Sequence, residues 1–154
     1  MAGRGTPEPV VLLVEDDPGD VMMIREAFEE SKQHGDLHVV GDGEQALSFL
    51  RRAGGFTTAP RPDLILLDLS LPGRDGLDVL AEMKTDADLL TIPVVVLTSS
   101  RSPKDIQRCY SLHANAYVTK PRDFDGVSEI IRQISARFLD LIELPASWPR
   151  ARES

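Results

Sequence analysis

Three stretches of this chain are apolar at almost every position: VVLLV at Val10–Val14, LILL within Asp63–Leu67 and VVVL within Pro93–Leu97. A strand covered on one face alternates apolar and polar residues. A continuously apolar strand is covered on both, as in a parallel sheet. Two shorter runs, Leu37–Gly41 and Asn115–Val118, bring the number of candidate strands to five. Helical patterns with readable starts separate them. Asp17-Pro18 reads as an N-cap with proline at the first helical position, and Val21, Ile24 and Phe28 share a face. Asp42 can cap a helix carrying Ala46, Leu47 and Leu50, stopped by Gly54-Gly55. Asp75-Gly76 opens a third, with Leu77, Leu80 and Met83, and Ser102-Pro103-Lys104-Asp105 reads as a capping box before Ile106, Cys109 and Tyr110. The last helix is expected from about Phe124 to Ile142, with Val127, Ile130, Ile131, Ile134, Phe138, Leu141 and Ile142 at helical spacing.

Strand then helix, five times over, predicts right-handed crossovers and a doubly wound α/β sheet. The expected organisation is a flexible segment over 1–9, one domain over 10–144 and a flexible tail over 145–154, with Ala53–Pro62 as an exposed loop. The formal net charge of −8 and the lack of a basic stripe argue against a nucleic-acid partner. No apolar run approaches the ~18 residues of a membrane span, and the first nine residues lack a signal-peptide core, so a cytoplasmic location and no membrane partner are expected. The single cysteine, Cys109, allows neither an internal disulfide nor a multi-cysteine metal site.

In such a sheet, sites form at the carboxyl ends of the strands. Glu15-Asp16-Asp17 follows the first run, Asp68 the third, Thr98-Ser99-Ser100 the fourth and Thr119-Lys120-Pro121 the fifth. Clustered carboxylates need a compensating cation, and an oxygen-liking divalent ion such as Mg²⁺ suits them. Asp68 could then attack phosphorus to give an aspartyl phosphate, with Lys120 and Thr98 on the phosphoryl oxygens. Asp17 is either a third pocket carboxylate or the helix cap.

These residues resemble the bacterial two-component response regulators from about Val10 to Ile142. The motifs that carry the resemblance are VEDD, LLDLSLPGRDG around Asp68, VLTSS at Thr98 and AYVTKP ending in Lys120-Pro121. Asp68 to Thr98 is 30 residues and Thr98 to Lys120 is 22. The resemblance implies a flavodoxin-like (βα)5 receiver with strand order 2-1-3-4-5. It implies Asp68 as phosphoacceptor. Asp16, Asp68 and the Ser70 carbonyl are implied as Mg²⁺ ligands, with Glu15 acting through water. Thr98 and Lys120 would read the phosphoryl oxygens, and the backbone N–H groups of Ser70 and Ser99 would complete the cradle. Tyr117 fits the aromatic switch position paired with Thr98, and the Lys120–Pro121 peptide is expected to be cis. Ser70 stands where the family often has Asn, which bears on the lifetime of the phosphorylated state. More narrowly, PRPDLILLDLSLPGRDG, SLHANAYVTKPRDFD and the long Ala53–Pro62 loop are similar to single-domain regulators paired with phytochrome-type histidine kinases. Those lack an output domain and dimerise through the far helix–strand face.

The implied function is a stand-alone phosphoacceptor switch, not an enzyme, served by a partner histidine kinase, or an intermediate in a phosphorelay. An aspartyl-nucleophile phosphohydrolase would need a second acid two residues after Asp68, where Ser70 stands. A flavin site of the same topology would need a glycine- and hydroxyl-rich loop where Glu15-Asp16-Asp17 stands. His34, His38 and His113 are scattered and lack ligand spacing. Cys109, Met22 and Met23 read as core packing. Leu139 and Leu144 fall off the stripe of the last helix, so a second apolar surface is expected to meet it, either a homodimer contact through the last helices or further packing within the chain.

Overall fold

The computed structural model describes residues 8–31 and 35–139. Five strands, β1 (Val10–Val14), β2 (Asp36–Val40), β3 (Leu64–Leu67), β4 (Val94–Thr98) and β5 (Ala116–Thr119), alternate with five helices. These are α1 (Pro18–Glu30), α2 (Gly43–Arg51), α3 (Gly76–Lys84), α4 (Pro103–Ser111) and α5 (Phe124–Ile134). All strand pairs are parallel, in the order β2-β1-β3-β4-β5.

The continuous apolar runs have a direct explanation. Successive side chains of a strand point to opposite faces. Leu12, Val14, Ile65, Leu67, Val94 and Val96 pack with residues of α2, α3 and α4 on one face. Val11, Leu13, Leu64, Leu66, Val95 and Leu97 pack with α1 and α5 on the other. Every position of β3, with residues 11–14 of β1 and 94–97 of β4, therefore serves one of two cores.

Each helix starts at the carboxyl edge of the sheet behind a side-chain cap. Asp17, Asp42, Asp75, Ser102 and Asp123 accept the backbone N–H three residues on. The cap role is thus the one Asp17 takes.

Several local expectations differ. α2 ends before the glycine pair because Arg52, with φ of 54°, takes the left-handed position itself. The Ala53–Pro62 segment contains a 3-10 turn at Gly54–Phe56, its Phe56 ring lies 5.5 Å from Phe49, and Pro62 is buried. It is an exposed loop, as expected, but one anchored at Phe56 and Pro62. Met22 is 64% exposed, because it lies on the side of α1 away from Ile24, Ala27 and Phe28. Cys109 is fully buried, as expected of a small core residue. After Ile134 the last helix widens into a π-turn over Ser135–Leu139. Leu139, expected off the stripe, is fully buried in the α1–α5 core. Five residues on an α-helix lie ~140° apart, whereas i→i+5 bonding brings Leu139 round toward the face of Ile134. Leu141, Ile142, Leu144 and His34 lie outside the described residues.

Candidate functional site at the carboxyl edge of the sheet

Parallel ladders run one residue past the strands and pin the site residues. Glu15 N–H donates to the Val40 carbonyl at 3.0 Å, Asp68 N–H to Val14 at 3.1 Å, and Lys120 N–H to Thr98 at 2.8 Å. Glu15 and Asp68 are thereby set on neighbouring strands, with Lys120 beside Thr98 on the next pair along the same edge. The loop beyond Asp68 is fixed by Gly76, whose N–H donates to the Leu69 carbonyl at 3.1 Å. A methyl group on Gly76 would collide with the Asp68 carbonyl oxygen and lie 2.8 Å from Leu69 Cα. Only glycine lets α3 start this close to the strand end.

Asp68 is 5% exposed and Glu15 2%, whereas Asp16 is exposed. Oxygens of Glu15, Asp16 and Asp68 lie within 4.8 Å of one another. Lys120 compensates this charge. Its Nζ donates to Asp20 Oδ2 at 2.7 Å, Glu15 Oε1 at 2.8 Å and Asp68 Oδ2 at 3.2 Å. Burial pushes the Glu15 carboxyl up to about 7, against the lowering effect of Lys120 and of the Asp17 N–H. Burial by itself would lower the Lys120 ammonium. Its hydrogen bonds to Asp20 and Glu15, with the charge of Asp68, outweigh that and hold it above its ordinary value.

One ammonium shared by several carboxylates leaves capacity for a further cation. The buried Glu15 and Asp68 and the exposed Asp16 converge there with carboxylate oxygens alone, so the donor set fits a hard divalent ion.

The other predicted residues surround this centre. Ser70 N–H donates to Asp68 Oδ1 at 3.2 Å, so the expected cradle group already faces the carboxylate. Thr98 is fully buried, and its Oγ1 accepts from Ser100 N–H at 3.5 Å. Ser99 is exposed on the same loop. The Tyr117 hydroxyl donates to the Ser100 carbonyl at 2.7 Å, which joins β5 to the loop after Thr98. The Lys120–Pro121 peptide is trans, contrary to expectation. Trans is the intrinsically favoured isomer even before proline, and from it Lys120 reaches all its carboxylate partners.

Asp20 was not anticipated. A search confined to strand ends passes over it, since it lies one turn into α1.

A five-stranded 2-1-3-4-5 sheet with paired acids after β1, an aspartate after β3, a threonine at the end of β4 and a lysine after β5 defines a receiver. The response regulator receiver domain family matches residues 11–132, and the chain belongs to it. It is a phosphoacceptor signalling domain. Response regulator Rcp1 of Synechocystis sp. is 41% identical over 147 residues, covering 96% of this chain and 100% of Rcp1. The structure of the phosphorylated cyanobacterial phytochrome response regulator RcpA is 41% identical, with a TM-score of 0.85, covering 91% of this chain and 100% of RcpA. The Mn²⁺-bound form of Rcp1 is 42% identical, with a TM-score of 0.82, covering 90% and 99%.

Proposed function

We propose that Asp68 accepts a phosphoryl group from the phosphohistidine of a partner histidine kinase of the phytochrome type. The observation that carries this reading is the setting of Asp68: nearly buried at the end of β3, one carboxylate oxygen facing Lys120 Nζ and the other the Ser70 N–H. In the transfer, an Asp68 carboxylate oxygen forms the new bond to phosphorus. The P–N bond breaks, and its electron pair returns to the imidazole nitrogen. Lys120 then holds a phosphoryl oxygen, and the N–H groups of Ser70 and Ser99 hold the others. Asp16, Asp68 and the Ser70 carbonyl would hold Mg²⁺, with Glu15 through water. The ion supplies neutralisation of phosphoryl charge when bound.

Thr98 turns toward the phosphoryl group and Tyr117 follows, changing the shape of the face made by α4, β5 and α5. The phosphoryl group biases an equilibrium between two states that both already exist. The domain acts in the cytoplasm, dimerises through its last helices and signals by protein contact rather than by turnover. Among the described residues, no helix is long and apolar enough to cross a membrane.

Incubation with acetyl phosphate and Mg²⁺, followed by intact-mass measurement, tests the assignment. The wild type should gain ~80 Da through carboxylate attack. Asp68→Asn should gain nothing, and an equal gain in that variant would place the phosphate elsewhere.

A further inference from the structure

Lys120 has three ammonium protons and uses them on three carboxylates, of which Asp20 is the nearest at 2.7 Å. Two of those partners, Glu15 and Asp68, belong to the strand-end centre. Asp20 does not. It sits in the first turn of α1, and its backbone N–H is itself fixed by Asp17 Oδ2 at 3.0 Å. Position therefore passes from the Asp17 cap to Asp20, from Asp20 to Lys120, and from Lys120 to Asp68.

We propose that Asp20 is a positioning residue that holds the Lys120 ammonium beside Asp68. The proposal rests on Asp68 as phosphoacceptor. A lysine head sits on a flexible four-carbon stem with many rotamers, so a free Lys120 would sample many places away from the phosphoryl group. The Lys120 side chain is only 10% exposed, and its head is fixed by charge-assisted hydrogen bonds. The 3.2 Å contact to Asp68 is the longest of the three, and it is the one a phosphoryl oxygen replaces when the carboxylate becomes an acyl phosphate. The contacts to Asp20 and Glu15 then remain and keep the ammonium in place. Glu15 also faces the divalent-ion site, whereas Asp20 is not part of that acidic cluster. Asp20 is thus the anchor that binding of an ion leaves to Lys120.

A merely structural alternative exists. An acid in the first turn of a helix is stabilised by the helix dipole wherever it occurs. Asp78 provides the matching control, being an exposed first-turn acid of α3, clear of Lys120. The experiment compares wild type, Asp20→Asn, Asp20→Glu and Asp78→Asn by two readouts. One is the rate of mass gain with acetyl phosphate and Mg²⁺, in which a carboxylate oxygen of Asp68 bonds to phosphorus and acetate leaves with the electron pair. The other is the ¹H–¹⁵N signal of the Lys120 ammonium, visible when its protons are held against exchange.

Asp20→Asn should lose the ammonium signal and slow phosphorylation about tenfold, the equivalent of ~1.4 kcal/mol. Asp20→Glu should recover part of both, and Asp78→Asn should change neither. An Asp20→Asn variant with the wild-type rate, a faster rate or an intact ammonium signal overturns the proposal. If the wild type gains no mass, the phosphoacceptor reading fails, and the ammonium signal still decides whether Asp20 holds Lys120.

Discussion

Cys109 and the acids of the site show how differently burial acts on single residues. Glu15 and Lys120 are buried together and answer each other, while the Cys109 thiol on α4 is pushed up to about 11 by burial, with the charge of Asp105 adding to the rise and that of Arg108 opposing it. A thiol whose folded value is raised contributes stability that is complete below its ordinary value of 9.0 and is lost as pH rises through about 11. The unfolding free energy of wild type should therefore exceed that of Cys109→Ala by a margin that narrows by roughly 2 kcal/mol from pH 8 toward 11, at 1.36 kcal/mol per unit. Urea titrations at stepped pH measure that margin, and a constant margin would show that the thiol ionises as freely in the fold as in water. At this scale the sequence was legible wherever chemistry and position coincide. Asp68, Thr98 and Lys120 each follow or end an apolar run, so strand geometry alone brings them to one edge. Asp20 was not legible, because its role comes from helix α1 leaning over the lysine. The isomer of the Lys120–Pro121 peptide was not legible either, since proline cuts the preference for trans to roughly 0.5–1 kcal/mol, small enough for tertiary context to override.

The elements were readable for the same reason the cores are. Caps such as Asp17 with Pro18 and Ser102 with Pro103 act through local hydrogen bonds that sequence spacing reveals. The end of the last helix departs from the sequence pattern because the 3.6-residue period breaks at Ser135. The π-turn changes which residues face inward, and the Ser135 hydroxyl is buried there with no hydrogen-bond partner among the described residues. Leu139→Ala should cost about 2–5 kcal/mol, the range for removing a buried leucine side chain. Ser135→Ala should be neutral or stabilising, since it removes an unpaired buried hydroxyl whose burial costs roughly 1–3 kcal/mol. Chemical denaturation of the two variants checks both signs. A loss in Ser135→Ala comparable to that of Leu139→Ala would mean that the hydroxyl has a partner. The burial of Leu139 also changes how a dimer must be tested. Truncation after Arg137 would remove a core residue, so a change in oligomeric state could not be assigned to a lost contact between copies.

Across the whole molecule, the site works as a clasp among β1, β3, β5 and α1, because Lys120 reaches Glu15, Asp68 and Asp20 from the end of the sheet's edge strand. Binding of a divalent ion at the acidic centre should therefore register in the stability of the entire fold. Without the ion, Asp16 adds a charge within 4.8 Å of carboxylate oxygens on Glu15 and Asp68. Two unit charges at that separation repel by about 1 kcal/mol in water and about 3 kcal/mol at an effective dielectric near 20. Asp16 is exposed, so the lower figure applies. Removing its charge should raise the stability of the ion-free protein by up to ~1 kcal/mol, roughly 3 °C in Tm for a domain of this size. With Mg²⁺ the order should invert. An ion at a hundred times its dissociation constant stabilises the wild type by ~2.7 kcal/mol, and a variant that has lost a ligand gains far less. Thermal unfolding of wild type and Asp16→Asn, each in chelator and in saturating Mg²⁺, gives the comparison. The expected pattern is a crossing: the variant melts higher in chelator and the wild type melts higher in Mg²⁺. Equal Mg²⁺-dependent shifts in the two proteins would remove Asp16 from the ligand set, and the ion would then have to be sought among Glu15, Asp68 and the Ser70 carbonyl alone.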